Sequence, residues 1–249
     1  MNLVLLDPSE IGPDGVARLA DRRATHIREV LKAAPGQAIR VGVLNGPRGT
    51  ATVQELTEAG VSLRCTLEAE PPPRPSVDLL LALPRPKVMR RLWAQLAAVG
   101  VGRVILTNAR KVERVYFDTH VLRPETYRPL LVEGLQQSQD THLPEVSIHR
   151  QFKVLIEDEL DAMCPEGGRL LADPGAAHRI TDLIVPGRGI RVLLAVGPEG
   201  GWTDFERDLL QEHGFLPVTM GARTLRSDTA CIALLALVHD LIAGRRRPA

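Results

Sequence analysis

The chain has 249 residues, 44% of them hydrophobic and 24% charged, with a formal net charge of +1. Those proportions describe an ordinary globular protein with room for one large or two modest domains, and the near-zero charge gives no whole-chain argument for a polyanionic partner. Cys65, Cys164 and Cys231 are odd in number and far apart, which excludes a disulfide framework and a zinc site. Residues 1–7 lack a basic n-region, and the longest apolar run, residues 230–238, falls short of the roughly 20 residues a membrane span requires. A soluble cytoplasmic protein with no membrane and no metal partner is expected. Of the 31 basic residues 27 are arginine, a skew that fits phosphate recognition and equally a GC-rich coding bias.

In chain order, a short helix is predicted over residues 26–31. Strands follow over 38–44, 50–53 and 61–67, the last with period-two alternation, punctuated by turns at Asn45-Gly46 and Ala59-Gly60. The run Pro71-Pro72-Pro73-Arg74-Pro75 then reads as a stiff extended linker, because proline lacks a donor N–H and disfavours helix in the residue before it. Domains over 1–71 and 76–249 are therefore expected.

Beyond the linker the pattern changes to α/β. Apolar runs at 77–83, 104–106, 169–172, 192–196 and 215–219 read as buried parallel strands, alternating with helices over 87–99, 125–138 and 153–163. In the first of these helices Val88, Leu92, Leu96 and Val99 form the predicted apolar face, with Gly100 placed for a left-handed cap. Thr203-Asp204-Phe205-Glu206 has capping-box spacing, so a helix should begin just after Trp202. The last helix, 227–243, is apolar nearly all round, which calls for cover on several sides from its own domain or a second subunit.

Two loops carry the chemistry. Strand 192–196 runs directly into Gly197-Pro198-Glu199-Gly200-Gly201, a glycine-rich turn at the carboxyl end of a strand, where α/β proteins bind ligands and where glycine lets a ligand approach the backbone. It is neither a P-loop nor a G-x-G-x-x-G turn. The second loop, Met220-Gly221-Ala222-Arg223-Thr224-Leu225-Arg226, leads to Ser227-Asp228-Thr229, where Ser227 or Asp228 could cap the final helix.

Taken together, the two loops closely resemble the C-terminal signature of the bacterial ribosomal RNA uridine-N3 methyltransferases (the RsmE family, within the SPOUT superclass). Residues 26–31 with Pro35-Gly36-Gln37 look like the start of that family's PUA-like N-terminal domain. Residues 133–138 with Pro144-Glu145-Val146 look like its mid-domain helix and the strand after it. The resemblance implies a PUA-like RNA-binding domain over 1–71 and a SPOUT methyltransferase domain over 76–249. It further implies a C-terminal trefoil knot that wraps S-adenosylmethionine, a homodimer, and ribosomal RNA or the small ribosomal subunit as partner. Departures are Asp228, where the family usually has Glu; Arg85-Pro86-Lys87, where it has Gly-Asp-Lys; and Val99-Gly100, where it commonly has Leu-Gly after a Glu.

On that reading the cofactor would be held by Leu171, Ala172, Val196, Gly197, Pro198, Glu199, Gly200, Met220, Gly221, Thr224 and Leu225, with Met220 and Leu225 sandwiching the adenine. Glu199 could reach the polar groups of the ribose or methionine, or could only cap the helix near Thr203. Because uridine N3 must lose a proton, Asp228 is the candidate base, with helix capping as its alternative role, and Arg226 the candidate charge-stabilising or phosphate-holding group. Residues 76–150 carry a surplus of four basic over acidic residues. Arg85, Lys87, Arg90, Arg91, Arg110 and Lys111, extended by Arg22, Arg23 and Arg28, form the expected RNA-binding surface. Two alternatives remain open at this stage: a SPOUT methyltransferase acting on another base or a ribose hydroxyl, and a non-catalytic RNA-binding homologue.

Overall fold

A computed structural model describes residues 3–183, 190–223 and 225–243. The chain divides into two compact units, one of residues 1–74 with 131–143, the other of residues 75–130 with 144–249. Residues 131–143, expected within the second domain, cluster with the first unit.

The first unit is a five-stranded sheet in the order β1-β3-β4-β5-β2, formed by β1 (Val4–Leu6), β2 (Val16–Leu19), β3 (Ala38–Val43), β4 (Arg48–Leu56) and β5 (Val61–Leu67). Alternation drives it: Val41, Ala51, Val53, Val61 and Leu63 point into one core with Leu6, Leu19 and Ile27, while Arg40, Thr50, Thr52 and Arg64 face solvent. Helix α1 (Arg22–Glu29) starts four residues earlier than predicted, because Asp21 caps it by accepting from the Arg23 amide. Segment 131–143 joins this unit by hydrogen bonds in which the Asn45 amide donates to Thr141 O at 2.8 Å and the Leu3 amide to Gln136 O at 3.1 Å. Gly42 leaves room for it, since an added Cβ would stand 2.6 Å from the Thr141 methyl.

The second unit is a seven-stranded sheet in the order β10-β12-β9-β11-β6-β7-β8, with every pairing parallel. Its strands are β6 (Val77–Ala82), β7 (Val101–Thr107), β8 (Glu145–His149), β9 (Gly168–Ala172), β10 (His178–Arg179), β11 (Val192–Val196) and β12 (Phe215–Thr219). β6 and β11 are buried along their whole lengths, as continuous Val/Leu/Ala runs require of central parallel strands. β11 is seated between β6 and the earlier β9, and β12 then lies on the far side of β9. At the amino end of β6, buried Asp78 is gripped by Arg191 through contacts of 2.7 and 3.2 Å.

The helices of this unit are α2 (Pro86–Val99), α3 (Pro124–Ser138, whose second half belongs to the first unit), α4 (Phe152–Val154), α5 (Leu160–Met163), α6 (Asp204–Glu212) and α7 (Ser227–Ala243). The predicted helix over 153–163 is interrupted by a π-turn, Leu155–Glu159, between α4 and α5. In α2 the buried seam is Met89, Leu92, Trp93, Leu96 and Ala97, one position round from the predicted face: Val88 and Val99 are only half-buried. Burying Trp93, whose indole N–H donates to Val121 O at 3.1 Å, removes more apolar surface than burying a valine. Gly100 closes α2 in the left-handed region with φ of 91°. Helix α7 buries Ser227, Cys231, Leu234, Leu235 and Val238, whereas Ile232, Ala233, Leu237 and Leu241 stay half-buried. No helix among the described residues is long and apolar enough to cross a membrane.

Candidate functional site

Three adjacent parallel strands, β11, β9 and β12, end on the same edge of the sheet, and the loops leaving them enclose a cleft of about 400 Å³. Its walls come from Ala172, Asp173 and Pro174 after β9, from residues 196–202 around the end of β11, and from Val218, Thr219, Met220, Arg223 and Leu225 at the end of β12. Ser227, Ala230 and Leu234 of α7 and Lys111 from the loop after β7 complete it. Of the predicted cofactor residues, Ala172, Val196, Gly197, Pro198, Glu199, Gly200, Met220 and Leu225 line this one cleft. Leu171 is fully buried in β9 and Gly221 does not line the cleft, while Thr224 lies outside the described residues.

The glycines have separate jobs. A Cβ on Gly197 would stand 2.9–3.1 Å from the Trp202 indole, so only glycine lets that ring close the back of the loop. Gly201 and Gly221 take φ of 71° and 129°, conformations that L side chains rarely adopt. Gly200 admits the Lys111 stem, whose Cδ would lie 2.8 Å from an added Cβ.

Beyond the turn, the capping box forms as its spacing predicts: Glu206 N–H donates to Thr203 Oγ1 at 3.3 Å and Thr203 N–H to Glu206 Oε2 at 2.8 Å. The second carboxylate oxygen of Glu206 accepts from the Arg110 amide at 2.7 Å, and Lys111 Nζ donates to Gly200 O at 2.6 Å. One contact therefore fixes the loop after β7 to the glycine turn and the other fixes it to the first turn of α6.

The cleft lining is mixed in chemistry: Met220, Leu225, Ala230 and Leu234 from the β12 end and α7 are apolar, and Lys111, Asp173, Glu199, Arg207 and Arg223 bring charge. Arg207 is engaged by Asp204 and lies 3.9 Å from Asp173. An aromatic nucleoside joined to a charged tail fits such a lining, and the glycine cradle lets it meet the backbone. S-adenosylmethionine has that character.

The predicted catalytic pair lies at the start of α7. Arg226 is exposed, and its carbonyl accepts the Ala230 amide at 2.8 Å. This puts Arg226 itself in the helix-capping position and leaves Ser227 and Asp228 inside the first turn, a correction to the expected cap. Asp228 instead accepts from Arg91 at 2.9 Å and from the Thr229 amide at 2.9 Å.

The basic residues expected to meet RNA separate. Arg22, Lys87, Arg90 and Arg110 are exposed. Arg85 stands 3.5 Å from Glu199 and Arg91 holds Asp228, so two arginines of this group face carboxylates, one in the glycine turn and one in the first turn of α7. Arg23 corrects the expectation: it is locked by Glu10, Asp21 and Leu5 O, with only 14% of its side chain exposed. The Glu10 hydrogen bond raises its pKa. Arg28 turns toward Thr57 O and Glu58 O. Lys111 belongs to the cleft.

Sequence reasoning missed Trp202, Asp173 and Arg207. Asp173 follows β9 as Gly197 follows β11, so the carboxyl-edge rule could have found it. Arg207 carries no comparable signal.

Fold and cleft thus define an α/β protein with a nucleoside-sized site at the carboxyl edge of a parallel sheet. A family model described as an RNA methyltransferase domain matches residues 70–239. A Treponema pallidum protein named ribosomal RNA small subunit methyltransferase E is 31% identical, over 96% of this chain and 90% of its own length. A ribosomal RNA small subunit methyltransferase E from Neisseria gonorrhoeae, solved bound to S-adenosyl methionine, superposes with a TM-score of 0.77 at 22% identity, covering 97% of this chain and 98% of that one. A putative methyltransferase from Legionella pneumophila, solved with the same cofactor, gives 0.74 at 20% identity, covering 96% and 97%. The chain belongs to the RNA methyltransferase domain family, among the proteins named ribosomal RNA small subunit methyltransferase E.

Proposed function

We propose that the protein methylates a uridine at N3 in small-subunit ribosomal RNA, using S-adenosylmethionine as donor. The observation that carries the reading is the cleft: glycine-cradled, lined by both apolar and charged side chains, and built by both signature loops. When bound there, S-adenosylmethionine supplies a methyl group on a sulfonium. The protein's own work is then to hold donor and acceptor in line.

Ala172, Val196, Gly197, Pro198, Gly200, Met220 and Leu225 form the cradle, with Leu171 and Gly221 supporting it and Glu199 among its charged residues; Thr224, expected to join them, lies outside the described residues. Arg226, exposed and flanked in sequence by the cleft residues Leu225 and Ser227, is the group we assign to the negative charge that grows on the uracil when N3 loses its proton. Asp228 is the group to take that proton; an RNA phosphate competing for Arg91 would free its carboxylate. Arg22, Arg85, Lys87, Arg90, Arg91 and Arg110 supply phosphate contacts.

The same reading takes residues 1–71 as a PUA-like RNA-binding domain and 76–249 as a SPOUT domain. Seating β11 between β6 and β9 is the strand order that a trefoil knot at the β11 and β12 loops would use. A homodimer would cover the half-buried face of α7, and a cytoplasmic location follows from a ribosomal substrate. The test is methyl transfer to small subunits lacking the modification, with the product nucleoside identified by mass spectrometry. N3-methyluridine is expected; another methylated nucleoside would overturn the target while leaving the class, and no transfer would overturn both.

A further inference from the structure

Lys111 follows Arg110 in the basic cluster expected to meet RNA, yet, though exposed, it lines the cleft. Its stem crosses Gly200, with Cδ 2.8 Å from where a Cβ would be, and Nζ donates to Gly200 O at 2.6 Å. A lysine ammonium has three N–H donors, so one is used and two remain to be directed at a ligand. Glu199 occupies the neighbouring position of the same turn. An ammonium clasped to Gly200 O, and the carboxylate of the preceding residue, 3.5 Å from Arg85, give this turn the opposite character from the Met220 and Leu225 side chains.

A free amino-acid end presents the complementary pair, an α-carboxylate and an α-ammonium. With the aromatic base of the donor against the apolar residues, its amino-acid end is left to the charged ones, of which Lys111 and Glu199 adjoin Gly200. Of the other cleft cations, Arg207 is already engaged by Asp204 and Trp202 O, and Arg223 rides on the loop that carries Met220 and Leu225.

We propose that Lys111 recognises the α-carboxylate of the donor, and is a cofactor-specificity residue and not an RNA contact. The proposal rests on the reading of the cleft as an S-adenosylmethionine site. The clasp to Gly200 O is part of the device, because it holds the ammonium where the carboxylate arrives. A charge-assisted contact of this kind is worth about tenfold in affinity or more.

The experiment is calorimetric titration of the full chain, wild type and variants, with two probes: S-adenosylmethionine and its decarboxylated form, which keeps the sulfonium and ammonium and lacks only the carboxylate. Wild type should prefer the carboxylated probe by about tenfold. Lys111→Met should bring the two affinities within about twofold of each other, and Lys111→Arg, which keeps the charge, should restore most of the preference. If Lys111→Met weakens both probes equally, to the point of losing both, or weakens neither, the carboxylate contact is overturned. A wild type that binds S-adenosylmethionine without discriminating between the probes overturns the inference alone. A wild type that binds neither probe removes the functional reading with it.

Discussion

Single residues here are defined by what surrounds their polar atoms. Burial pushes the Cys231 thiol up to about 12, with the Asp228 charge adding to the effect, and burial also raises Cys164 and Cys65. Because the thiolate is the nucleophile, native protein at pH 8 should leave Cys231 unalkylated by iodoacetamide while denatured protein reacts at all three positions. Peptide mass spectrometry reads this directly, and fast native labelling of Cys231 would contradict the packing of α7. His239 shows the opposite sign. Desolvation lowers its pKa, a nearby backbone hydrogen bond involving Gly100 opposing in part. A histidine depressed in the fold contributes its full stability above its unfolded value of about 6.5, and that contribution is lost as pH falls through the lower folded value. Denaturant melts should thus lose more stability between pH 7 and pH 5 in wild type than in His239→Gln; identical losses would show that His239 is not the responsible group. Arg226 is exposed, so Arg226→Ala should change folding stability by no more than about 0.5 kcal/mol. Turnover should fall about a hundredfold if it stabilises developing charge. An unchanged rate removes it from the chemistry.

At the scale of elements, local chemistry was legible in the sequence wherever it acts over one turn. The Thr203–Glu206 box, the Gly100 terminator and the central strands β6 and β11 all follow from spacing and residue type. The face of α2 was misjudged by one position, since a valine-and-leucine count gives too little weight to the large side chains of Met89 and Trp93. Three-residue β1 and two-residue β10 are too short for any periodicity. The π-turn at Leu155–Glu159 follows from no sequence rule. Glu206 shows how a local motif acquires a distant partner: the box was visible, but its bond to the Arg110 amide joins residues 96 apart in the chain. Glu206→Ala removes the reciprocal cap and leaves the part-buried Arg110 amide without its acceptor. It should cost about 2–3 kcal/mol in denaturant unfolding; a loss under about 0.5 kcal/mol would mean that the clasp between the loop after β7 and α6 carries no stability.

For the whole molecule, composition and the proline run announced two units of different character, a small β-rich one and a parallel α/β one. They did not announce that residues 131–143 cluster with the first unit, because Asn45 and Thr141 meet only once both segments are folded. The candidate site was legible for the same reason as the sheet: parallel strands gather their following loops on one edge, so two motifs some twenty residues apart in sequence become one cleft. Its long-range member Lys111 was not legible as such, nor was Arg207 on α6, and the basic cluster is less uniform than its sequence suggests, since Arg23 serves its own unit and Arg85 and Arg91 hold site carboxylates. Pairing of Asp78 with Arg191 spans 113 residues and locks β6 to the approach of β11. Because Arg191 keeps some solvent contact, Arg191→Ala should cost about 2–3 kcal/mol, less than the loss of a fully buried partner. The most direct measurement on the central claim is titration of S-adenosylmethionine into wild type and Gly197→Ala. In that variant the new methyl meets the Trp202 indole at the floor of the cleft. The account predicts one binding event per chain in wild type and a loss of at least about tenfold in the variant, for a cost of about 1.4 kcal/mol or more, with its thermal unfolding still cooperative. No binding by wild type, or equal binding by both, would contradict it.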